Sequence, residues 1–232
     1  MKGRFISIEG TEGAGKSTHI RRLARWIESR GHRVVLVREP GGTKLGEWIR
    51  GTLQHDAVAE PITPEAELFL FEAARAQLVR QVIRPVLERG DWVISDRFMD
   101  STTAYQGYGR GFDIDQVLAL HRVAVGDTVP DLTILLDLDV AEGFRRLQKR
   151  NAAGKLRLDR FEREARRFHE TVRRGFKALA RRFPERMVVV KAAGTEAEVG
   201  GRVEAVVARR LGLDCGKQGK GTGCRSRKQS KA

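Results

Sequence analysis

The sequence predicts an α/β fold in three layers, a five-stranded parallel sheet flanked by helices. Three observations carry this. Five short apolar segments alternate with helical patterns, an order that right-handed crossovers turn into a parallel sheet. The first apolar segment passes through a glycine-rich turn directly into a helical repeat. The chain has 232 residues, 41% hydrophobic and 32% charged, which suits one large domain with its own core.

The elements follow in order. Arg4 to Glu9 holds Phe5, Ile6 and Ile8, a run of strand length, and Ile20, Leu23, Ala24 and Ile27 then recur at helical spacing. Val34–Arg38 is the second strand, broken by Pro40 and two glycines. A short helix is expected over Lys44 to Leu53. A longer one starts at Thr63 as N-cap, with Pro64 in the first turn and Glu65 and Glu67 near the positive end. It runs past Leu78 toward Leu87, bent at Pro85. Trp92 to Ser95 is the third strand, Leu132 to Leu138 the fourth and Met187 to Val190 the fifth. Further helices are expected near Asp115–Val125, Ala141–Lys149, Arg160–Phe183 and Glu196–Leu211. Asp159 and Glu162 mark the start of the Arg160–Phe183 helix.

Bulk properties narrow the class. No apolar run approaches the ~20 residues that span a bilayer. The chain enters its first strand within a few residues, which leaves no room for a signal peptide. Cys215 and Cys224 both lie near the end of the chain, which fits a reducing, cytoplasmic setting better than a disulfide scaffold. Net charge is +14. Residues 1–211 form the expected domain. Residues 212–232 carry six basic side chains against Asp214 alone and almost nothing apolar, so they are expected to form a disordered basic tail with weak affinity for polyanions.

Gly10, Thr11, Glu12, Gly13, Ala14, Gly15, Lys16 and Ser17 fit G-x-x-x-x-G-K-[ST] without a mismatch, between a strand and a helix as that phosphate-binding loop requires. Its glycines let backbone N–H groups close around phosphate oxygens, and the helix N-terminus that continues through Thr18 adds positive charge. Lys16 reaches the β- and γ-phosphates, and Ser17 offers a magnesium ligand. Asp96 ends the third strand, where such enzymes keep a carboxylate near magnesium. Arg97 points into the same crevice as a phosphate grip. From Arg145 to Arg167 ten basic residues face three acidic ones, interrupted at Asn151 to Gly154. A mobile basic lid over about residues 145–160 suits closure over a triphosphate. At this point the residues admit a phosphotransferase acting on some nucleotide or nucleoside. They also admit a nucleic-acid-bound ATPase, although no guanine-reading N-K-x-D segment appears.

Longer segments add a resemblance. Phe5 to Ser17, Arg38-Glu39-Pro40-Gly41-Gly42-Thr43, Phe71-Glu72-Ala73-Ala74-Arg75, Asp96-Arg97-Phe98 with Ser101 to Gly107, and Pro130 to Thr133 resemble the thymidylate kinase family, over about residues 1–211. The resemblance implies a P-loop nucleoside monophosphate kinase fold. It also implies transfer of the γ-phosphoryl of ATP to dTMP, with Mg2+, in a cytoplasmic homodimer. By the same resemblance Phe71 stacks on thymine and Arg75 reaches its O4 edge. Ser101, Thr102, Tyr105 and Gln106 line the base and sugar pocket, with Tyr105 crowding out a 2′-hydroxyl. Arg38 and Arg97 hold the dTMP phosphate beside Pro40, which matches a family proline that is typically cis. Glu12 meets the 3′-hydroxyl, and Glu9, Asp96 and Ser17 stand near magnesium. Gly13 occupies a position where some members carry arginine. Its presence resembles the bacterial type, in which lid arginines supply the catalytic charge, and Arg150, Arg157 and Arg160 are the candidates.

Overall fold

A computed structural model describes residues 3–54, 60–152 and 159–213, with side chains of 151 and 152 outside the description. Arg157 and the basic tail after residue 213, with Cys215 and Cys224, therefore lie outside the described residues. The strands are β1 (Phe5–Glu9), β2 (Val34–Arg38), β3 (Trp92–Asp96), β4 (Leu132–Asp137) and β5 (Met187–Lys191). They form a sheet in the order β2-β3-β1-β4-β5 with every pairing parallel.

Period-two alternation assigns each strand residue to a face. Ile6 and Ile8 join Ile94, Leu132, Ile134 and Leu136 against helices α1 (Lys16–Glu28) and α9 (Glu196–Leu211). Phe5 and Val93 face the other way, onto a second buried cluster. That layer contains α3 (Pro64–Leu78), α4 (Arg84–Glu88) and α6 (Ile114–Val125). Leu135 and Met187 pack beside it against α8 (Arg166–Arg182). β1 is central and wholly buried, so it is apolar except for Ser7 and Glu9, whose polar groups are satisfied internally. At its end the loop turns into α1, and the carboxyl ends of β1, β2 and β3 converge on one crevice.

Helix ends follow their local chemistry. The Thr63 side chain caps α3 by accepting from the Ala66 N–H, and Pro64 occupies the first turn. Thr195 and Glu198 form a capping box at α9. Among the described residues no helix is long and apolar enough to cross a membrane.

Three expectations need correction. The helix expected through Leu87 is not a single α-helix bent at Pro85. A π-helical segment, Val79–Ile83, widens it just before α4. Pro85 has no N–H to give the α register, so the turn ahead of it re-registers. Asp159 and Glu162 do exchange the expected bonds: the Glu162 N–H donates to Asp159 at 2.8 Å and the Asp159 N–H to Glu162 at 3.2 Å. They close a turn instead of opening a helix, and α8 begins only at Arg166. Finally, Met99–Thr102 (α5) and a π-helical segment at Thr103–Gly109 had no counterpart in the expected elements.

Candidate active site

A single cleft of about 470 Å³ runs along the carboxyl edge of the sheet. It is lined at one end by Gly13, Gly15, Lys16, Ser17 and Thr18, and at the other by Phe71, Arg75, Thr102, Tyr105 and Gln106. The phosphate loop and the expected base pocket therefore share one cavity.

The loop conformation depends on glycine. Gly10, Gly13 and Gly15 all have positive φ. A Cβ on Gly13 would stand 2.4 Å from the Gly143 carbonyl oxygen on α7 (Val140–Ala152), so only a hydrogen fits there. Lys16 Nζ bonds the carbonyls of Gly10 at 3.0 Å and Thr11 at 3.2 Å, folded across the loop it serves. Burial and the nearby Arg97 lower the Lys16 pKa, against the raising influence of Glu12, Asp96 and Glu9. Ser17 Oγ donates to Asp96 Oδ2 at 3.0 Å, so the loop hydroxyl and the β3 carboxylate stand together as expected.

Arg97 is the one non-glycine residue with positive φ among the described residues, at 69°. Such a conformation costs ~1–2 kcal/mol and persists where the surroundings enforce it. Here its guanidinium bonds Gly10 O at 3.2 Å, Ser101 Oγ at 3.1 Å, the Tyr105 hydroxyl at 3.2 Å and the Glu12 carboxylate. Tyr105 also donates to Glu12, at 2.9 Å. Burial raises the Glu12 pKa, but the Arg97 and Lys16 charges outweigh it and hold this carboxyl at about 2. Glu9 is different. It is fully buried behind the loop and accepts from Ser7, the Phe98 N–H and Ser101. Burial, reinforced by Asp100, pushes it up to about 7.

The end where the base pocket is expected is built on α3. Arg75 is 1% exposed and bonds Glu39 at 2.9 and 2.7 Å, Glu72 at 2.6 Å and Thr102 Oγ1 at 2.8 Å. A buried guanidinium needs such partners. Burial pushes Glu39 up to about 7 despite the Arg75 charge. Glu72 in turn meets Nδ1 of the buried His121 at 2.9 Å. Phe71 lies 5.8 Å from the ring of Phe161, and Tyr105 lies 5.9 Å from it, which closes an aromatic wall. Gln106 lines the cleft and donates Nε2 to Glu67 at 2.8 Å. The Glu39–Pro40 bond is cis, and Arg38 lies beside it, bonded to Glu47 at 2.9 Å.

Of the arginines expected to belong to a lid, Arg150 lines the cleft and bonds Glu162 at 2.7 Å. Arg160 is turned away, toward Leu53 O at 2.9 Å and the Glu67 carboxylate. The sequence reading did not place Arg50, Arg146, Phe161 or Glu162 at the cleft, yet all four line it. Arg50 bonds Pro40 O at 3.0 Å from helix α2 (Lys44–Gln54). Its signal was available: Gly46, Arg50 and Gln54 follow one another at helical spacing beside the buried Ile49 and Leu53. Arg146 lies one turn before Arg150, on the same face of α7.

The family model described as "Thymidylate kinase" matches residues 8–202. The chain is 49% identical over 207 residues to the thymidylate kinase of Desulfosudis oleivorans, covering 88% of this chain and 96% of the relative. It is 48% identical over 217 residues to that of Desulfovibrio desulfuricans, covering 90% and 100%. A crystal structure of thymidylate kinase from Ehrlichia chaffeensis superposes with a TM-score of 0.71 at 32% identity, covering 89% of this chain and 99% of that one.

Proposed function

The chain belongs to the thymidylate kinase family, and from its cleft we infer how it transfers the γ-phosphoryl group of ATP to dTMP, giving dTDP and ADP. The observation that carries the residue assignment is the continuity of one cleft from the Lys16 loop to the Phe71–Arg75 pocket. Two anions must be brought in line there and their repulsion cancelled.

ATP phosphates occupy the Gly10–Thr18 loop, with Lys16 released from its carbonyl partners to the β- and γ-phosphates. At the other end Phe71 stacks on thymine, and the Arg75–Thr102 pair addresses its edge. Arg75 is held too firmly by Glu39 and Glu72 to move with substrate. The dTMP phosphate falls among Arg97, Arg38 and Arg50, and Glu12 with Tyr105 meets the sugar. The attacking atom is a phosphate oxygen of dTMP, already anionic near neutral pH, so no general base is needed. The γ-phosphorus–oxygen bond to ADP breaks as the new one to dTMP forms. Arg97, Lys16 and Arg150 share the developing charge, and closure over the cleft excludes water as a competing acceptor.

The paired Ser17 hydroxyl and Asp96 carboxylate are hard oxygen donors at the phosphate end, a fit for a small divalent ion that takes few protein ligands and keeps water and phosphate oxygens. Mg2+ held there would supply charge neutralisation on the phosphates. Glu9, with both oxygens engaged, supports the β1 turn and Ser101 behind that pair. Trp48, Phe69 and Val123 are large apolar residues, 68%, 58% and 77% exposed, on α2, α3 and α6, and they support a homodimer through those helices. The basic segment 212–232 supports weak, salt-sensitive polyanion binding separate from catalysis.

A turnover panel tests the assignment. dTMP is expected to give the highest kcat/KM among dTMP, dUMP, dCMP, dGMP and thymidine. A preference for another acceptor would overturn it. Removing divalent metal with EDTA is expected to stop turnover, and added Mg2+ to restore it.

A further inference from the structure

Glu67 is 1% exposed on the first turns of α3, yet it is not a substrate-facing group. Its carboxylate gathers three partners, two from the Thr103–Arg110 stretch and one from the turn after Asp159. Gln106 Nε2 donates to Oε1 at 2.8 Å. Arg110 bonds it at 3.2 and 3.3 Å. Arg160, from the turn that follows Asp159, bonds Oε2. Gln106 and Phe161 both line the cleft, and the Arg160 guanidinium lies 4.6 Å over the Phe161 ring. Glu67 therefore stands behind both polar and aromatic walls of the base pocket.

The chemistry of that arrangement is directional. A side-chain amide presents a donor at one end and an acceptor at the other. A carboxylate tied to two guanidinium groups accepts only, so it takes the Nε2 end and leaves Oε1 as the acceptor for the cleft. Thymine carries N3–H and a C4 carbonyl. Cytosine carries a bare N3 and a C4 amino group. An acceptor from Gln106 beside a donor from Arg75 matches the first pattern and opposes the second. We propose that Glu67 is a positioning residue for base selection: it fixes the amide orientation of Gln106 against the base. The proposal rests on the base pocket assigned above and identifies what sets its hydrogen-bond polarity. A buried donor or acceptor left facing the wrong partner is the strongest source of such discrimination.

The test compares unaltered chain, Glu67→Gln, Gln106→Leu and the double variant, with dTMP and dCMP as acceptors and thermal melting alongside. Glu67→Gln frees the amide to turn. Expected is a rise of about tenfold in KM for dTMP, little change in KM for ATP, and a dTMP-over-dCMP preference narrowed by about the same factor. In the Gln106→Leu background the same change should add almost nothing to KM for dTMP. A purely structural role predicts a lower melting temperature and less active protein with selectivity unchanged. Unchanged selectivity in Glu67→Gln, or additive effects in the double variant, would overturn the proposal. If Glu67→Gln does not fold, a dTMP complex of the unaltered chain decides: Gln106 against the base N3 with Nε2 still on Glu67 supports it, and Gln106 away from the base overturns it. Failure of the unaltered chain to phosphorylate dTMP would instead sink the functional reading itself.

Discussion

At the scale of single residues the proposed mechanism divides the cleft into groups that meet substrate and groups that hold them, with Lys16 among the first. Lys16→Ala is expected to lower kcat by two orders of magnitude or more with the fold retained, measured by coupled ADP release. Arg75→Ala is expected to raise KM for dTMP much more than KM for ATP. It also leaves Glu39 and Glu72 buried without their cation, so a drop in melting temperature accompanies it. Glu12 gives a pH prediction with a definite sign. Its folded pKa of about 2 lies below the ordinary 4.5, so its contribution to stability is present above pH 4.5 and is lost as pH falls toward 2. Glu9 and Glu39, raised to about 7, act oppositely: they cost stability as pH rises from 4.5 toward 7. Denaturant melts of Glu12→Gln against the unaltered chain isolate the first effect. The difference should be ~2–3 kcal/mol at pH 6 and shrink steadily below pH 4.5. The loop residues were legible in the sequence because their spacing is itself the chemistry. The places of Arg50, Glu67 and Glu162 around the cleft were not, because they depend on which distant partners folding brings to them. Arg160 shows the same limit from the other side: its charge and position suggested the phosphates, but the nearby Glu67 carboxylate claims it.

Elements were legible where one period dominated. The strands and α1, α2, α6 and α9 match their expected spans closely, since each shows a clear apolar face. The segment Met99–Gly109 was not. Ser101, Thr102 and Thr103, with Gly107 and Gly109, are poor helix formers. Its helical form comes from packing, with Ala104 and Tyr105 buried against Phe176 and Leu179 of α8. That tertiary support puts Thr102, Tyr105 and Gln106 on the cleft. A second element-level contact joins α7 to the phosphate loop, where a Cβ on Gly143 would stand 2.4 Å from the Glu12 carbonyl oxygen. Gly143→Ala must push that backbone apart. It is expected to cost ~1–3 kcal/mol in stability and to raise KM for ATP, read by thermal melting and steady-state kinetics. An unchanged KM for ATP would show that the loop does not depend on this approach.

For the whole molecule, the sheet order places the carboxyl ends of β1, β2 and β3 side by side. The Gly10–Thr18 loop, Arg38 and Asp96 then share one edge without any long-range adjustment. The alternation of strands and helices made that architecture readable. The exposed apolar residues on α2, α3 and α6 were not readable, because a helix stripe does not say whether it meets its own core or a second copy. If those residues form a self-association face, Trp48→Lys is expected to lower the sedimentation coefficient, and an unchanged sedimentation coefficient would remove that surface from the proposed dimer. If one cleft holds donor and acceptor together, it also protects the γ-phosphoryl group from water. ADP release from ATP and Mg2+, measured with and without dTMP, tests it most directly. Rapid release only when dTMP is present, with dTDP formed in equal amount, is the predicted result. ATP hydrolysis at the same rate in the absence of dTMP would contradict it.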